Sequence, residues 1–203
     1  MNKIITISRE FGSGGRELGK RLAEQLGWAY YDQEIVREIA NRTKLSEEYV
    51  QHLSECHPSY AFPIHTGRSF MLLSNPIWTQ NQEVFREQCN VIHEAADRSN
   101  CVIVGRCADY ILHEQRPFRI FVYSDTETKV QRCQAKGSDY SELIVEKDLK
   151  KMIRAMDKNR SQYYEFFTGQ GWGDRSNYDI CINTSGRCIK EIAHTMAKIW
   201  PCV

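Results

Sequence analysis

The sequence predicts an α/β fold in which five short parallel strands form one sheet with helices on both faces. The clearest strand-like runs are continuously apolar, as expected for strands that are covered on both sides. Helical patterns lie between these runs, and such alternation favours parallel pairing through right-handed crossovers. The length of 203 residues, 41% of them hydrophobic, suits one domain with a sizeable core.

The elements follow in a regular order along the chain. The strands are predicted at residues 3–7, 28–31, 101–105, 118–124 and 178–182. The first helix is indicated by Leu18, Leu22 and Leu26, which recur every four residues, and Gly27 ends it. Further helices are predicted from about residue 35, over 81–98, from about 141 to 166, and over 186–200.

The pattern is weaker between residues 46 and 80, where prolines and aromatic residues interrupt any clear period. We interpret residues 46–80 as an insertion in a core made of residues 1–45 and 81–203. Two interpretations of it stay open: a flap that covers a substrate, or a packed irregular segment.

Composition excludes several classes of protein. The net charge is +1, so no overall field directs the chain to nucleic acid or to a membrane surface. No apolar run approaches the roughly 20 residues of a membrane span, and no export signal is recognisable. We therefore expect a cytoplasmic protein with reduced cysteines and without a nucleic-acid or membrane partner. The sequence does not indicate its oligomeric state.

One cluster contains residue types that can bind zinc. Its members are His52, Cys56, His57 and His65. Their spacing fits no familiar pair-plus-pair pattern, so we predict no zinc site there.

A glycine-rich stretch joins the first strand to the first helix. Gly12, Ser13, Gly14 and Gly15 permit a tight loop whose N–H groups point inward, and the following helix presents its positive end to an anion. The stretch predicts a phosphate-binding loop. A dinucleotide fingerprint fails because Glu17 stands where the third glycine belongs. An ordinary strand-to-helix turn without a ligand is the remaining alternative.

The ordered set of motifs resembles the nucleoside-monophosphate kinases, and most closely the cytidylate kinase-like proteins. The resemblance is carried by TISREFGSGG at residues 6–15, GWAYYD at 27–32, VIVGRCADYIL at 102–112, FRIFVYSDTETKVQRC at 118–133 and NYDICINTS at 177–185. It implies a P-loop NTPase-type fold over residues 1–203, with an acceptor-binding insertion at about 46–80 and a helical lid at about 147–175. It also implies ATP with Mg²⁺ as cofactors, and a small nucleotide or phosphorylated molecule as substrate.

The loop departs from the usual kinase pattern G-x-x-x-x-G-K-G-T. Arg9 stands at the first glycine, Gly15 at the lysine, Arg16 at the following glycine and Glu17 at the threonine. The lysine ordinarily reaches the β- and γ-phosphates, and the threonine meets the Mg²⁺ shell. We hypothesise that Arg16 supplies the missing charge, with Lys20 one turn further on the same helix face. Glu17 either contacts Mg²⁺ through water or interacts with the helix dipole.

The acceptor side is predicted from the resemblance at two places. In the family, the arginine of the Gly-Arg motif helps to hold the monophosphate, and Arg106 matches it. The acidic residue that follows helps to read cytosine; here Asp109 is a loose substitute for it. Asp32 matches the aspartate at the mouth of the acceptor site, and Arg37 lies one position before the family's phosphate-binding arginine. An arginine that only caps a strand end is the alternative for Arg106.

A basic stripe marks the predicted lid helix. Its members, Lys147, Lys151, Arg154 and Lys158, are separated by four, three and four residues and therefore share one helix face. A solvated basic face is the ordinary meaning of such a stripe. The resemblance implies instead a lid whose cations surround the transferred phosphoryl group. The predicted catalytic residues are accordingly Arg16, Arg154, Lys158 and Arg160.

The sequence thus predicts a phosphotransferase that passes the γ-phosphoryl group of ATP to a small phosphorylated acceptor, such as the nucleoside monophosphate CMP. Donor phosphates would bind from Gly12 to Arg16, and no protein side chain is predicted as a direct metal ligand. Two alternatives stay open. One is a nucleotide sensor that lost turnover with the loop lysine, and the other is a kinase for a non-nucleotide small molecule.

Overall fold

The computed structural model describes residues 2–53, 76–136 and 146–199. Its strands form one parallel five-stranded sheet in the order β2-β3-β1-β4-β5. The strands are β1 (Ile4–Arg9), β2 (Ala29–Tyr31), β3 (Cys101–Val104), β4 (Phe118–Tyr123) and β5 (Ile180–Asn183). The predicted α/β fold with a parallel sheet is confirmed.

Helices connect the strands and cover both faces of the sheet. They are α1 (Gly15–Leu26), α2 (Gln33–Thr43), α3 (Glu47–Leu53), α4 (Pro76–Arg98), α5 (Ala108–Ile111), α6 (Thr126–Lys136), α7 (Glu146–Thr168) and α8 (Ile189–Ile199). The sequence pattern predicted neither α3 nor α5, which have only seven and four residues. None of the described helices is long and apolar enough to cross a membrane.

Some sequence predictions fall outside the described residues. They concern most of the 46–80 insertion, the start of the predicted helix near residue 141, and Cys56, His57 and His65 of the zinc-like cluster. Within the described ranges, no three His, Cys, Asp or Glu side chains are grouped as a metal site.

Two apolar clusters hold the layers together. One lies between the sheet and the pair α2 and α4, and includes Ile39 and Ile103, both fully buried. The other lies between the sheet and the pair α1 and α8, and includes Ile7 and Leu18, also fully buried. Each large aliphatic side chain contributes about 1.5–3 kcal/mol when it leaves water. Because both faces are buried in this way, the strands read as continuous apolar runs.

The central strand determines where a ligand can approach. β1 pairs with β3 on one side and with β4 on the other, so that Ile7 lies opposite both Val104 and Ile120. Arg9 ends β1, and Gly105 follows β3 at the same edge, where its N–H donates to the carbonyl of Ile7 at 2.9 Å. Ligands of parallel α/β sheets bind at this carboxyl edge.

Candidate functional site

The glycine-rich loop turns sharply between β1 and α1. Gly12 and Gly14 have φ values of 75° and 84°, in the left-handed region that favours glycine. Ser13 is fully buried, and its hydroxyl donates to the carbonyl of Glu10 at 2.8 Å. Helix α1 begins directly after this turn at Gly15. The first N–H groups of a helix have no partner within the helix, so they are available to an anion.

The carbonyl group of Ser13 anchors the loop to the end of β5 and to α6. The Ser13 carbonyl accepts from the hydroxyl of Thr184 at 2.7 Å and from Arg132 Nη1 at 2.9 Å. Arg132 Nη2 also donates to the Thr184 carbonyl at 2.8 Å. These bonds hold the loop against α6 and the end of β5.

A buried ion network fastens α7 to the same loop. Lys129 Nζ lies 2.7 Å from Glu10 Oε2 and 2.9 Å from Asp157 Oδ2. Asp157 Oδ1 accepts from the N–H of Phe11 at 2.6 Å. Burial lowers the pKa of Lys129, but hydrogen bonds to the two carboxylates outweigh it, and the pKa is raised. A carboxylate of α7 therefore already binds one amide of the loop.

Arg9 fills the space beneath the loop. Its side chain is 9% exposed although it carries a full charge. A β-carbon built on Gly15 would lie 2.5 Å from Arg9 Cβ, and one built on Gly105 would collide with Arg9 Nη1. Both glycines are therefore needed to make room for this arginine.

Three arginines line a small cavity at the carboxyl ends of β1 and β3. Its volume is about 30 Å³, and Arg9, Arg106 and Arg160 line it with Tyr164 and Trp172. Arg106 is 5% exposed. The space holds only about one or two water molecules. Guanidinium groups fork onto phosphate and carboxylate oxygens, so the side chains that line it can bind anionic oxygens.

The structure turns Arg16 away from this cavity. Its Nε lies 2.6 Å from Asp32 Oδ2, and the arginine side chain is 48% exposed while that of Asp32 is 5% exposed. Arg16 and Lys20 line an open groove of about 520 Å³ on the outer side of α1. Glu17 accepts from Arg21 Nε at 2.9 Å, one helical turn further on. The structure thus joins the predicted donor residue Arg16 with the predicted acceptor residue Asp32.

The other predicted acceptor residues lie in two places. Asp109 is buried close to the cavity, where its Oδ2 accepts from the hydroxyl of Tyr164 at 2.6 Å. Burial raises the pKa of Asp109, and the Tyr164 hydrogen bond opposes that rise. Arg37 lies elsewhere on the surface. Its side chain is 60% exposed, and its Nε lies 3.7 Å from Oε2 of Glu47.

The predicted lid cations are divided between the inside and the outside of α7. Arg160 lies over the Phe11 ring at 5.5 Å from its centroid, and its Nη1 donates to the Arg9 carbonyl at 3.4 Å. Arg154 and Lys158 are exposed, as are the other two members of the basic stripe. In this structure the stripe faces solvent, and Arg160 lines the cavity.

Sequence reasoning missed several residues of this site. Arg9 was recognised as the residue at the first glycine's position, but it received no role. The signal was available, because an arginine directly after a buried strand must emerge at the ligand edge. Lys129 and Asp157 carried no such signal, since their pairing joins positions far apart in the sequence.

The strand order, the glycine-rich loop and the arginine cavity define the class of P-loop kinase folds. Residues 4–186 match the profile of the cytidylate kinase-like family, and the chain belongs to that family. It is 30% identical over 183 residues to a cytidylate kinase of Pyrococcus horikoshii, with 90% of this chain and 80% of that protein covered. A cytidylate kinase of Thermoplasma acidophilum is 27% identical over 198 residues, covering 96% and 90%.

Solved structures agree with this placement. A protein of Eubacterium ventriosum described as uncharacterized has a TM-score of 0.71 and 27% identity over the full length of both chains. Shikimate kinase from Acinetobacter baumannii, in complex with shikimate, has a TM-score of 0.55 and 18% identity, covering 100% and 94%. The second likeness shows the fold alone. Together the relatives support a kinase-like enzyme, but they do not identify the molecule that accepts the phosphoryl group.

Proposed function

We propose that this protein passes the γ-phosphoryl group of ATP to a small phosphorylated acceptor, and that a nucleoside monophosphate such as CMP is the first candidate. The observation that carries the proposal is the cavity lined by Arg9, Arg106 and Arg160 beside the glycine-rich loop. Phosphoryl transfer depends on positioning and on neutralising charge, and converging guanidinium groups supply both. The relatives named cytidylate kinase support the same acceptor class.

The donor phosphates would bind at the loop from Gly12 to Arg16 and at the start of α1. The left-handed turns at Gly12 and Gly14 support this, because they bring successive amides to one side of the loop. Mg²⁺ would arrive with ATP and keep mostly phosphate and water ligands, as it does in many kinases. Glu17 stays a candidate for a contact through water, although it pairs with Arg21 here.

The acceptor phosphate would bind at Arg106. The Asp109 carboxyl, held by the Tyr164 hydroxyl, would read polar atoms of the acceptor next to it. Asp32 and Arg37 stay predictions for the mouth of the acceptor site. An acceptor phosphate is already anionic near neutral pH, so the reaction needs no general base.

A second candidate function is nucleotide binding without turnover. One observation favours it: the loop has no lysine at position 15, where the residue that reaches the β- and γ-phosphates ordinarily stands.

A panel of acceptors tests the proposal. The full chain would be incubated with γ-labelled ATP, Mg²⁺ and, separately, CMP, the other nucleoside monophosphates and a set of non-nucleotide metabolites. Label transfer to a nucleoside monophosphate supports the proposal, and transfer only to another metabolite replaces its acceptor class. ATP binding without any transfer supports the sensor instead. Arg98 is a 68% exposed arginine at the end of α4, away from the proposed site. The variant Arg98→Met should therefore transfer label as the parent does.

A further inference from the structure

We infer that Arg9 carries, from the end of β1, the positive charge that a loop lysine ordinarily carries from the start of the following helix. Relative to the usual kinase pattern, the cation and the glycine are exchanged: glycine stands at position 15 where the lysine would be, and arginine stands at position 9 where the first glycine would be. The inference rests on the proposed function, since it names the cation that contacts the ATP phosphates.

Steric exclusion links the two positions. A β-carbon at position 15 would lie 2.5 Å from Arg9 Cβ and 3.1 Å from Arg9 Cγ. Two such carbons never approach this closely in proteins, and neither belongs to the flexible end of a side chain. Any side chain at position 15 and any side chain at position 9 therefore exclude each other. A cation can stand at only one of the two positions.

The guanidinium of Arg9 lies at the carboxyl edge of the sheet, where ligands of such folds bind. It lies against Gly105, the residue that follows β3, and no side chain at position 105 could coexist with it. It lines the same small cavity as Arg106 and Arg160. Its charge thus lies at the carboxyl edge of the sheet, in the lining that it shares with the proposed acceptor arginine. In the proposed reaction a transferred phosphoryl group would pass this edge.

Arg16, the other arginine near the loop, has different surroundings. It forms an ion pair with Asp32 at 2.6 Å and lines the outer groove of α1, and about half of its side chain is exposed. Arg9 is almost wholly buried at the sheet edge. In this inference Arg9 contacts the phosphates, and Arg16 positions Asp32.

A cycle of four proteins tests the exchange: the parent, Arg9→Gly, Gly15→Lys, and the double variant Arg9→Gly/Gly15→Lys. MgATP binding would be measured by calorimetry and stability by melting temperature. Arg9→Gly should weaken binding about 10- to 100-fold, the loss of one charge-assisted contact. Gly15→Lys should lower the melting temperature, because its side chain overlaps that of Arg9. The double variant should recover both losses, a strong departure from additivity.

Two further variants keep the test independent of folding defects. Arg9→Met removes the charge and keeps most of the volume, and it should weaken MgATP binding as Arg9→Gly does. Arg98→Met should bind MgATP as the parent does. A double variant that binds no better than Arg9→Gly overturns the exchange.

The outcomes separate this inference from the proposed function. If the parent binds MgATP and Arg9→Met binds it equally well, Arg9 does not contact the phosphates and the inference is overturned while the kinase proposal stands. If the parent binds no MgATP at all, the proposed function fails and the inference fails with it.

Discussion

At the residue scale, the site combines buried cations with a buried carboxyl group. Arg9 and Arg106 are less than a tenth exposed and line one cavity with Arg160. Close to them, Asp109 is held by Tyr164. An anionic ligand that binds only the folded protein would stabilise it.

Replacing Arg106 tests the functional side of this arrangement. We expect Arg106→Met to lower kcat/KM for the acceptor about 100-fold, because a buried charge-assisted contact is lost. The melting temperature serves as the check that the variant is folded. Steady-state kinetics and thermal unfolding measure the two properties. A lower melting temperature with an unchanged kcat/KM would indicate a purely structural role.

The carboxyl group of Asp109 makes stability depend on pH. Burial raises its pKa above the ordinary value of 3.8. The stability that it contributes is present below that value and is lost as the pH rises through the pKa of the folded state. Asp109→Asn keeps an acceptor for Tyr164 and does not ionise. We therefore expect it to be more stable than the parent near neutral pH, and the advantage to vanish towards about pH 4.

Urea unfolding at several pH values measures this difference in the free energy of unfolding. A variant that is less stable than the parent by the same amount at every pH would contradict the assignment.

At the element scale, α7 is attached to the loop by its inner face. Lys129 bridges Glu10 and Asp157, and the Phe11 ring lies beneath Arg160. The outer face of the same helix carries the basic stripe. Helical periodicity predicted the stripe, but it could not show which face the helix turns to the sheet.

Removing Lys129 should loosen this attachment. Lys129→Met leaves the carboxylates of Glu10 and Asp157 close together without their shared cation, so we expect a loss of about 2 kcal/mol in the free energy of unfolding. The matched control is Lys150→Met, which breaks an exposed pair with Glu146 on the same helix and should change stability little. Equal losses in the two variants, measured by urea unfolding, would contradict a special role for the network.

The two faces of α7 should also differ in catalysis. We expect Arg160→Met to reduce kcat about 100-fold, because Arg160 lines the cavity where charge would develop in the proposed reaction. Arg154→Met and Lys158→Met should each reduce it less than about tenfold, because both side chains are exposed. Values of kcat for the three variants, measured under saturating ATP, test this difference between the two faces of α7. A larger loss for Arg154→Met would show that α7 turns its basic stripe inward when substrates bind.

At the scale of the whole molecule, the sheet was predictable and the site only in part. Strands buried on both faces leave short continuous apolar runs, and the amphipathic helices that cover the two faces separate these runs along the chain. The glycine-rich loop was predictable for a similar reason, since its backbone conformation requires glycine at Gly12 and Gly14. Short elements such as α3 and α5 have too few residues to show a period.

Contacts between distant positions were not predictable. The exclusion between Gly15 and Arg9 depends on a distance of a few ångströms between two chain segments, and sequence spacing does not encode it. The same applies to the pairing of Arg16 with Asp32, which takes the predicted donor cation to another surface. The family pattern showed that a lysine is absent. The packing of Gly15 against Arg9 made Arg9 the residue that we propose in its place.

The most direct test of the account is the transfer of label from γ-labelled ATP to CMP and the other nucleoside monophosphates, compared between the parent and Arg106→Met. The account predicts transfer by the parent to at least one of these acceptors, and a loss of about 100-fold in the variant. Absence of transfer to every nucleoside monophosphate, or equal transfer by the two proteins, would contradict it.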